Sequence, residues 1–391
     1  MKRLLYPLMT CLLLASCVEE YKLPKNIADF YRQEILIEGR ILSGTESVFY
    51  VTKTIPLNDN SRMTEYVLDA DIHIIGQNGF RSEQAICGED SAYTINAGEL
   101  PSNTLYAVEV EVDGEIYQSI FQPILQTPEI DEVTWEEYEE GMKVKVSTHN
   151  DEGSTRCYMW TYEEDWEFHA DLDLYGTPGM LFSPRLYPKE PDEFNPYYYC
   201  WGHSHSTSIN IYNTEDLTEN RVTDLELFRR ELNDIRISYI YSLLVKQFCL
   251  SIDAYEYFRL MKLYTEESDG LFTPMPSDVR GNMVCISNPE KTVRGQVIAS
   301  SVTEKRIFVY ASDFKMNTPD PERCTYQLPP ENSMGWVMSW RNLIDYSGYA
   351  AQSSGGNLDK SSVLYSPLCV NCLLEKKASK KRPDFWPNNH E

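Results

Sequence analysis

The sequence predicts a mainly β protein: an N-terminal sandwich of short strands, then a larger, mostly β domain with one substantial helix. Three observations carry this. Apolar and polar residues alternate at period two through much of the chain, the mark of half-buried strands. Asn78-Gly79 and Asp113-Gly114 stand between such runs, and both dipeptides favour the tight turns of β-hairpins. Helical spacing is clear in one substantial stretch, about residues 251–267, where Ala254, Tyr257, Phe258, Met261 and Tyr264 would share a face behind Ser251 as N-cap.

From the N-terminal side, Ile35 and Ile37 begin a first strand that Ser43-Gly44 closes, and Ser47 to Thr54 is a second. Asp71 to Ile75 runs into the Asn78-Gly79 turn, and Ser91 to Ile95 is a short strand. Tyr106 to Val112 then alternates up to Asp113-Gly114, and Ile116 to Phe121 returns. Short strands so closely spaced, with no helix among them, predict an immunoglobulin-like β-sandwich over residues 34–127. Pro123 and Pro128 mark its boundary with a second domain, residues 128–391. There Val133-Thr134-Trp135 and Met142 to Val146 flank Glu139-Glu140-Gly141 as a hairpin, and Arg156 to Phe168 is a long aromatic-rich strand. Residues 171–201 are repeatedly broken by proline (Pro178, Pro184, Pro188, Pro191, Pro196) and read as a long loop. Thr207 to Tyr212 alternates, Asp224 to Leu232 suits a short helix, and Ile235 to Leu250 is one or two buried strands. Beyond the main helix, strands resume at Asn282 to Ser287, Arg294 to Ser301 and Arg306 to Tyr310.

Composition narrows the function classes. With 35 Lys and Arg against 60 Asp and Glu, the formal charge is −25, which argues against nucleic acid as a partner because a phosphate backbone demands a basic face. An aromatic content of 12% argues against intrinsic disorder. The one apolar stretch that approaches a membrane span lies at the N-terminal end. Met1-Lys2-Arg3 precedes an apolar run from Leu4 to Ala15, the length of a signal-peptide core. The run ends Leu14-Ala15-Ser16-Cys17, which resembles the lipobox of bacterial lipoproteins. Residues 1–16 are thus expected to be a signal peptide cut between Ser16 and Cys17. Cys17 would carry the acyl chains (palmitate among them), and residues 17–33 would be a lipidated tether. Glu19-Glu20 just behind the cysteine resembles the surface-export signal of Bacteroidetes lipoproteins; a plain acidic tether is the alternative.

Taken together, several stretches resemble the DUF4249 family of Bacteroidetes outer-membrane lipoproteins. They include Ile35-Leu36-Ile37-Glu38-Gly39, Asp113-Gly114-Glu115-Ile116-Tyr117-Gln118-Ser119, Cys200-Trp201 and Leu250-Ser251-Ile252-Asp253-Ala254-Tyr255. Further on come Gly281-Asn282, Val293-Arg294-Gly295, Cys369-Val370-Asn371-Cys372 and Pro383-Asp384-Phe385-Trp386. The family carries no agreed biochemical activity. Its members' similarity to accessory lipoproteins of TonB-dependent receptors implies nutrient uptake or envelope work rather than a known reaction.

Candidate sites follow from residue types. Cys369-Val370-Asn371-Cys372 has zinc-knuckle spacing, but in an exported chain a disulfide from this terminal loop to Cys324 or a neighbour is the expectation. The eight cysteines left after Cys11 and Cys17 permit disulfides in many pairings, although Cys249 and Cys285 sit in apolar runs that would equally suit plain buried thiols. His203 and His205 share one face if extended, a spacing able to bind metal; His169, Asp171 and Asp173 could add a ligand, yet a solvated strand is expected and no metal is assigned. Glu163-Glu164-Asp165 and Asp171-Leu172-Asp173 offer oxygen ligands without the glycine-punctuated loop of a calcium motif. Tyr187, Tyr197, Tyr198, Tyr199 and Trp201 form the candidate binding surface, since such rings serve interfaces and sugar-stacking platforms. The run Lys376, Lys377, Lys380, Lys381 and Arg382 is basic in an acidic chain and reads as a solvated tail or a face for anionic headgroups. No catalytic motif or cofactor fingerprint is present, and no enzyme activity or cofactor is expected. The function expected is that of a surface-exposed, outer-membrane accessory or ligand-capture subunit beside a TonB-dependent β-barrel, with an adhesin or glycan-binding module as the alternative.

Overall fold

The computed structural model describes residues 33–55, 64–151, 153, 155–172, 197–265, 279–315, 324–329, 337, 339, 350–352 and 363–387. The expected signal peptide with Ser16 and Cys17, and Tyr187 with most of the proline-rich loop, lie outside the described residues. The fold is mainly β with several sheets and one substantial helix.

The chain enters through β1 (Ile35–Leu42), β2 (Glu46–Lys53), β3 (Glu65–Tyr66), β4 (Asp71–Gly76), β5 (Ile86–Cys87) and β6 (Tyr93–Asn96). It continues with β7 (Leu105–Val112), β8 (Glu115–Ser119) and β9 (Gln122–Pro123). Between β7 and β8, Asp113 and Gly114 both take positive φ (54° and 78°), the geometry of the tight hairpin their sequence predicts. Sequential pairing puts β2, β6 and β5 beside β1 in one sheet, and β8, β7 and β4 in the facing one.

The N-terminal sandwich is not complete at residue 127. Three strands from far downstream, β17 (Met283–Cys285), β18 (Val293–Arg294) and β19 (Val297–Ser300), add to it. β17 pairs antiparallel with β8, whereas β18 and β19 run parallel to β1. Parallel neighbours require a long crossover, and here the intervening unit supplies it. Gly295 makes the approach possible: at φ 114° its ideal Cβ would sit 1.9 Å from the Ile37 carbonyl oxygen. The result is a sandwich of two sheets around Ile37, Phe49, Ile72, Val108, Tyr117 and Val297. This strand order does not establish an immunoglobulin topology.

The second unit consists of β10 (Ile130–Tyr138), β11 (Gly141–His149), β12 (Cys157–His169), β13 (Tyr199–His205), β14 (Asn210–Asn213), β15 (Arg221–Glu231) and β16 (Ile240–Leu250). Then come the helix α1 (Ile252–Thr265), the three returning strands, and β20 (Val302–Tyr310). A sheet ordered β10-β11-β15 packs on one ordered β20-β16-β12-β13-β21, where β21 is Ala378–Ser379. Val133, Val144 and Val222 on one side meet Trp160, Trp166, Tyr241 and Leu243 on the other.

The helix expected at Asp224 to Leu232 is instead part of the strand β15. Its pairing shows why. Val146 faces Leu225 and Thr148 faces Val222, while Val144 faces Phe228 and Lys145 faces Glu226. Two register shifts insert extra residues, so period two is stretched to a spacing of three at Val222, Leu225 and Phe228. β-Bulges therefore imitate helical periodicity in the sequence. The main helix forms where expected: Ser251 Oγ accepts the Ala254 amide at 3.2 Å, and its carbonyl accepts that of Tyr255 at 2.9 Å.

α1 seals the two units together. Ala254 packs with Leu42 and Ile298 of the first sandwich and with Cys157, Met159, Phe248 and Leu250 of the large sheet.

Candidate functional site: the polar face of the large sheet

Alternation along β12 sends odd and even residues to opposite faces, and each face has a distinct character. The outer face divides into three bands. Cys157 and Met159 lie in the apolar layer beneath α1. Glu163 and Asp165 come next, in register with His205 and His203 of β13. At the far end Glu167 is buried and accepts the Trp386 indole N–H at 2.6 Å, so the C-terminal segment covers that band.

The middle band is the best-formed cluster of ionisable groups open to solvent. Asp165 is 6% exposed, and its Oδ1 lies 2.6 Å from His203 Nδ1. Its Oδ2 accepts from Arg306 Nη1 at 3.3 Å. The same guanidinium donates to Ser242 Oγ at 2.6 Å and lies over the Phe385 ring, 3.6 Å from its centroid. The His203 and His205 rings stand nearly perpendicular, at 84°, with their Nε2 atoms 3.1 Å apart. Glu163 is ion-paired to Lys246 at 2.7 Å. The hydrogen bond to Asp165 raises the His203 pKa despite its partial burial, whereas burial and the neighbouring His203 charge lower that of His205.

The inner face carries a second constellation that the sequence does not reveal. Glu164 is 1% exposed and lies between the two sheets. Arg230 grips it with two bonds, Nε to Oε1 at 2.9 Å and Nη2 to Oε2 at 2.7 Å. Arg236 Nη1 adds a third at 2.9 Å and the Tyr241 hydroxyl a fourth at 2.7 Å. Burial alone would raise the carboxyl's pKa, but these bonds and charges outweigh it and hold the group below the usual range. With every donor satisfied inside the protein, this is an anchor between sheets rather than a reactive centre. It also disposes of the calcium reading of Glu163-Glu164-Asp165, because the middle carboxylate faces away from its neighbours. Among the described residues no group of three or more His, Cys, Asp or Glu converges as a metal cage.

The aromatic surface is divided. Tyr197 is exposed, with Lys380 Nζ 4.1 Å from its ring centroid. Tyr198 stacks on His169 at 4.9 Å, and Tyr199 meets the edge of Tyr198 at 4.7 Å. Those two rings serve packing as much as presentation. Trp201 lies opposite Glu167 on β13, and its indole N–H has no partner among the described residues.

Cys369 is bonded to Cys324 and Cys372 to Cys200. The second bond ties the terminal segment to β13, a pairing for which the sequence holds no signal beyond an even cysteine count. Cys87, Cys157, Cys249 and Cys285 are free. Burial pushes the Cys157 thiol up to about 11 and the Cys249 thiol up to about 12, so both stay protonated at neutral pH.

This arrangement defines a two-unit β protein with an ionisable sheet face and a disulfide-held terminal strap. The model of DUF4249, a domain of unknown function, matches residues 19–306, well over half of the sequence, and the chain belongs to that family. No curated protein matches it. Among solved structures it is similar to trypsin activated alpha-2-macroglobulin from Escherichia coli, at 10% identity and a TM-score of 0.18. That match spans 57% of this chain and 15% of the other, and a likeness so slight carries no functional weight.

Proposed function

We propose that this protein is a lipid-anchored outer-membrane lipoprotein, directed to the cell surface, that serves without catalysis as an accessory or ligand-capture subunit of a TonB-dependent transporter. The observation that carries the reading is Leu14-Ala15-Ser16-Cys17 behind a signal-length apolar run, followed at once by Glu19-Glu20. The pair of disulfides supports export, since such bonds persist in oxidising compartments. No described helix is long and apolar enough to cross a membrane. An acyl anchor on Cys17 would hold the protein at the surface.

Two measurements test this. Labelling with a palmitate analogue should mark the full-length chain, and Cys17→Ala should abolish the label. Pull-down of the lipidated protein from detergent-solubilised membranes should recover an outer-membrane β-barrel; intact lipidation with no barrel recovered would overturn the transporter role. A glycan-binding or adhesin role is the second reading, favoured by exposed Tyr197 beside Lys380. Glycan arrays decide it, with loss of signal on Tyr197→Ala or Trp201→Ala as the required control.

A further inference from the structure

We infer that His203 and His205 form a binding site for a divalent transition ion of the zinc–copper class. Both residues lie on β13 two positions apart, so their side chains leave the sheet on the same face. That strand is held along its length by antiparallel pairing with the long strand β12, which gives the pair a rigid base.

The hydrogen bonds prepare one imidazole for a metal. His203 Nδ1 faces the Asp165 carboxylate at 2.6 Å, a contact that places a proton on Nδ1 and leaves the Nε2 lone pair free. Carboxylate, imidazole and ion in line is the arrangement that orients metal-bound histidines and raises their basicity. Arg306 and the burial of Asp165 hold the carboxylate in place. The His205 Nε2 then lies 3.1 Å from that of His203. Two nitrogens bound to one tetrahedral ion at ~2.0–2.1 Å would lie ~3.3 Å apart, so only a slight opening of the rings is needed. Two nitrogens this close, on neighbouring rings of one face, are placed to engage the same ion. A divalent ion engages both.

The rest of the coordination sphere is open. The His203 side chain is 47% exposed, which leaves room for water or for a ligand carried in with the ion. Glu163 is the cross-strand neighbour of His205 and is held by Lys246, so the remaining positions on the ion fall to water or an incoming ligand. Imidazole with a carboxylate or water suits zinc and copper better than calcium or magnesium. With two firm protein donors the site is an open capture site, unlike the closed four-ligand cage of a structural zinc. This inference does not depend on the transporter reading.

The test uses untagged full-length protein, titrated with Zn2+ by calorimetry and with Cu2+ by electron paramagnetic resonance. One equivalent of ion should bind, with nitrogen hyperfine coupling from two imidazoles in the copper spectrum. His203→Ala and His205→Ala should each weaken binding at least tenfold. Asp165→Asn should weaken it roughly 10–100-fold, the usual cost of losing such a supporting carboxylate. His149→Ala, a histidine paired with Asp131 at the far side of the unit, should leave binding unchanged. His205→Ala alters an exposed side chain and should melt as the wild type does, which keeps the result readable if His203→Ala or Asp165→Asn misfolds. Absence of stoichiometric binding by both ions, or wild-type affinity in His203→Ala and His205→Ala, would overturn the assignment.

Discussion

In the N-terminal sandwich Ile37, Phe49, Ile72, Val108 and Val110 fill the space between the sheets, and buried hydroxyls such as Ser47 and Ser119 satisfy neighbouring backbone groups. In the second sandwich the equivalent space holds aromatic rings together with Glu164, Arg230, Arg236 and Tyr241. The difference lies in what each core specifies. A core without buried charges sets its stability through area removed from water and tolerates rearrangement. An ionic anchor contributes little net stability against an apolar substitute, but leaves a large penalty when one partner is missing.

That contrast predicts where damage is greatest. Glu164→Ala leaves two guanidinium groups facing a dry interior, and unfolding experiments should show a loss of about 3–5 kcal/mol. The pH profile sharpens the point. Because the folded carboxyl titrates below its unfolded value, its contribution is present above pH ~4.3 and disappears as pH falls through the folded pKa. Glu164→Gln should flatten this acid limb of the stability curve, and an unchanged limb would show that other carboxylates govern it. In the uncharged core of the first sandwich, Ile72→Ala should cost about 3 kcal/mol through lost transfer energy and a cavity, with no change in pH dependence.

Sequence pattern reached these two cores unequally. The hairpin of β7 and β8 is legible from alternation and Asp113-Gly114, because both signals are local. The return of β17 to β19 is legible as strands but not as partners of β8 and β1, since nothing local encodes a neighbour beyond an intervening unit. Glu163-Glu164-Asp165 looks like a solvated acidic run. Only the alternation of β12, once both of its faces are known to be covered or lined, sends Glu164 inward and its neighbours to the polar face. The His203–His205 spacing was visible, whereas Arg306 as the support of Asp165 had no signal at all.

The terminal strap offers an intermediate perturbation. The Cys200–Cys372 bond spans 172 residues and the Cys324–Cys369 bond 45. Replacing Cys200 and Cys372 together with serine should cost about 2–4 kcal/mol. Hydrogen exchange should rise in residues 363–387 more than in either sandwich, since the strap meets the large sheet through the short pairing of β21 with β13 and through Trp386. Uniform loss of protection across both units would show that the strap is integral to the core.

The smallest effect expected concerns the joint between the sandwiches. Ser251 caps α1 through a single side-chain bond to the Ala254 amide, and its loss in Ser251→Ala should cost ~1 kcal/mol. The helix itself should persist, because Ala254 and Tyr257 are buried and packing rather than propensity holds it in place. Hydrogen exchange should therefore quicken in the first turn of α1, while the amides of β1 and β12 remain protected. If both sandwiches loosened together, α1 would be a cooperative part of each core; if only the first turn responded, the two units would be joined chiefly by Leu42, Ile298 and the apolar layer around Phe248.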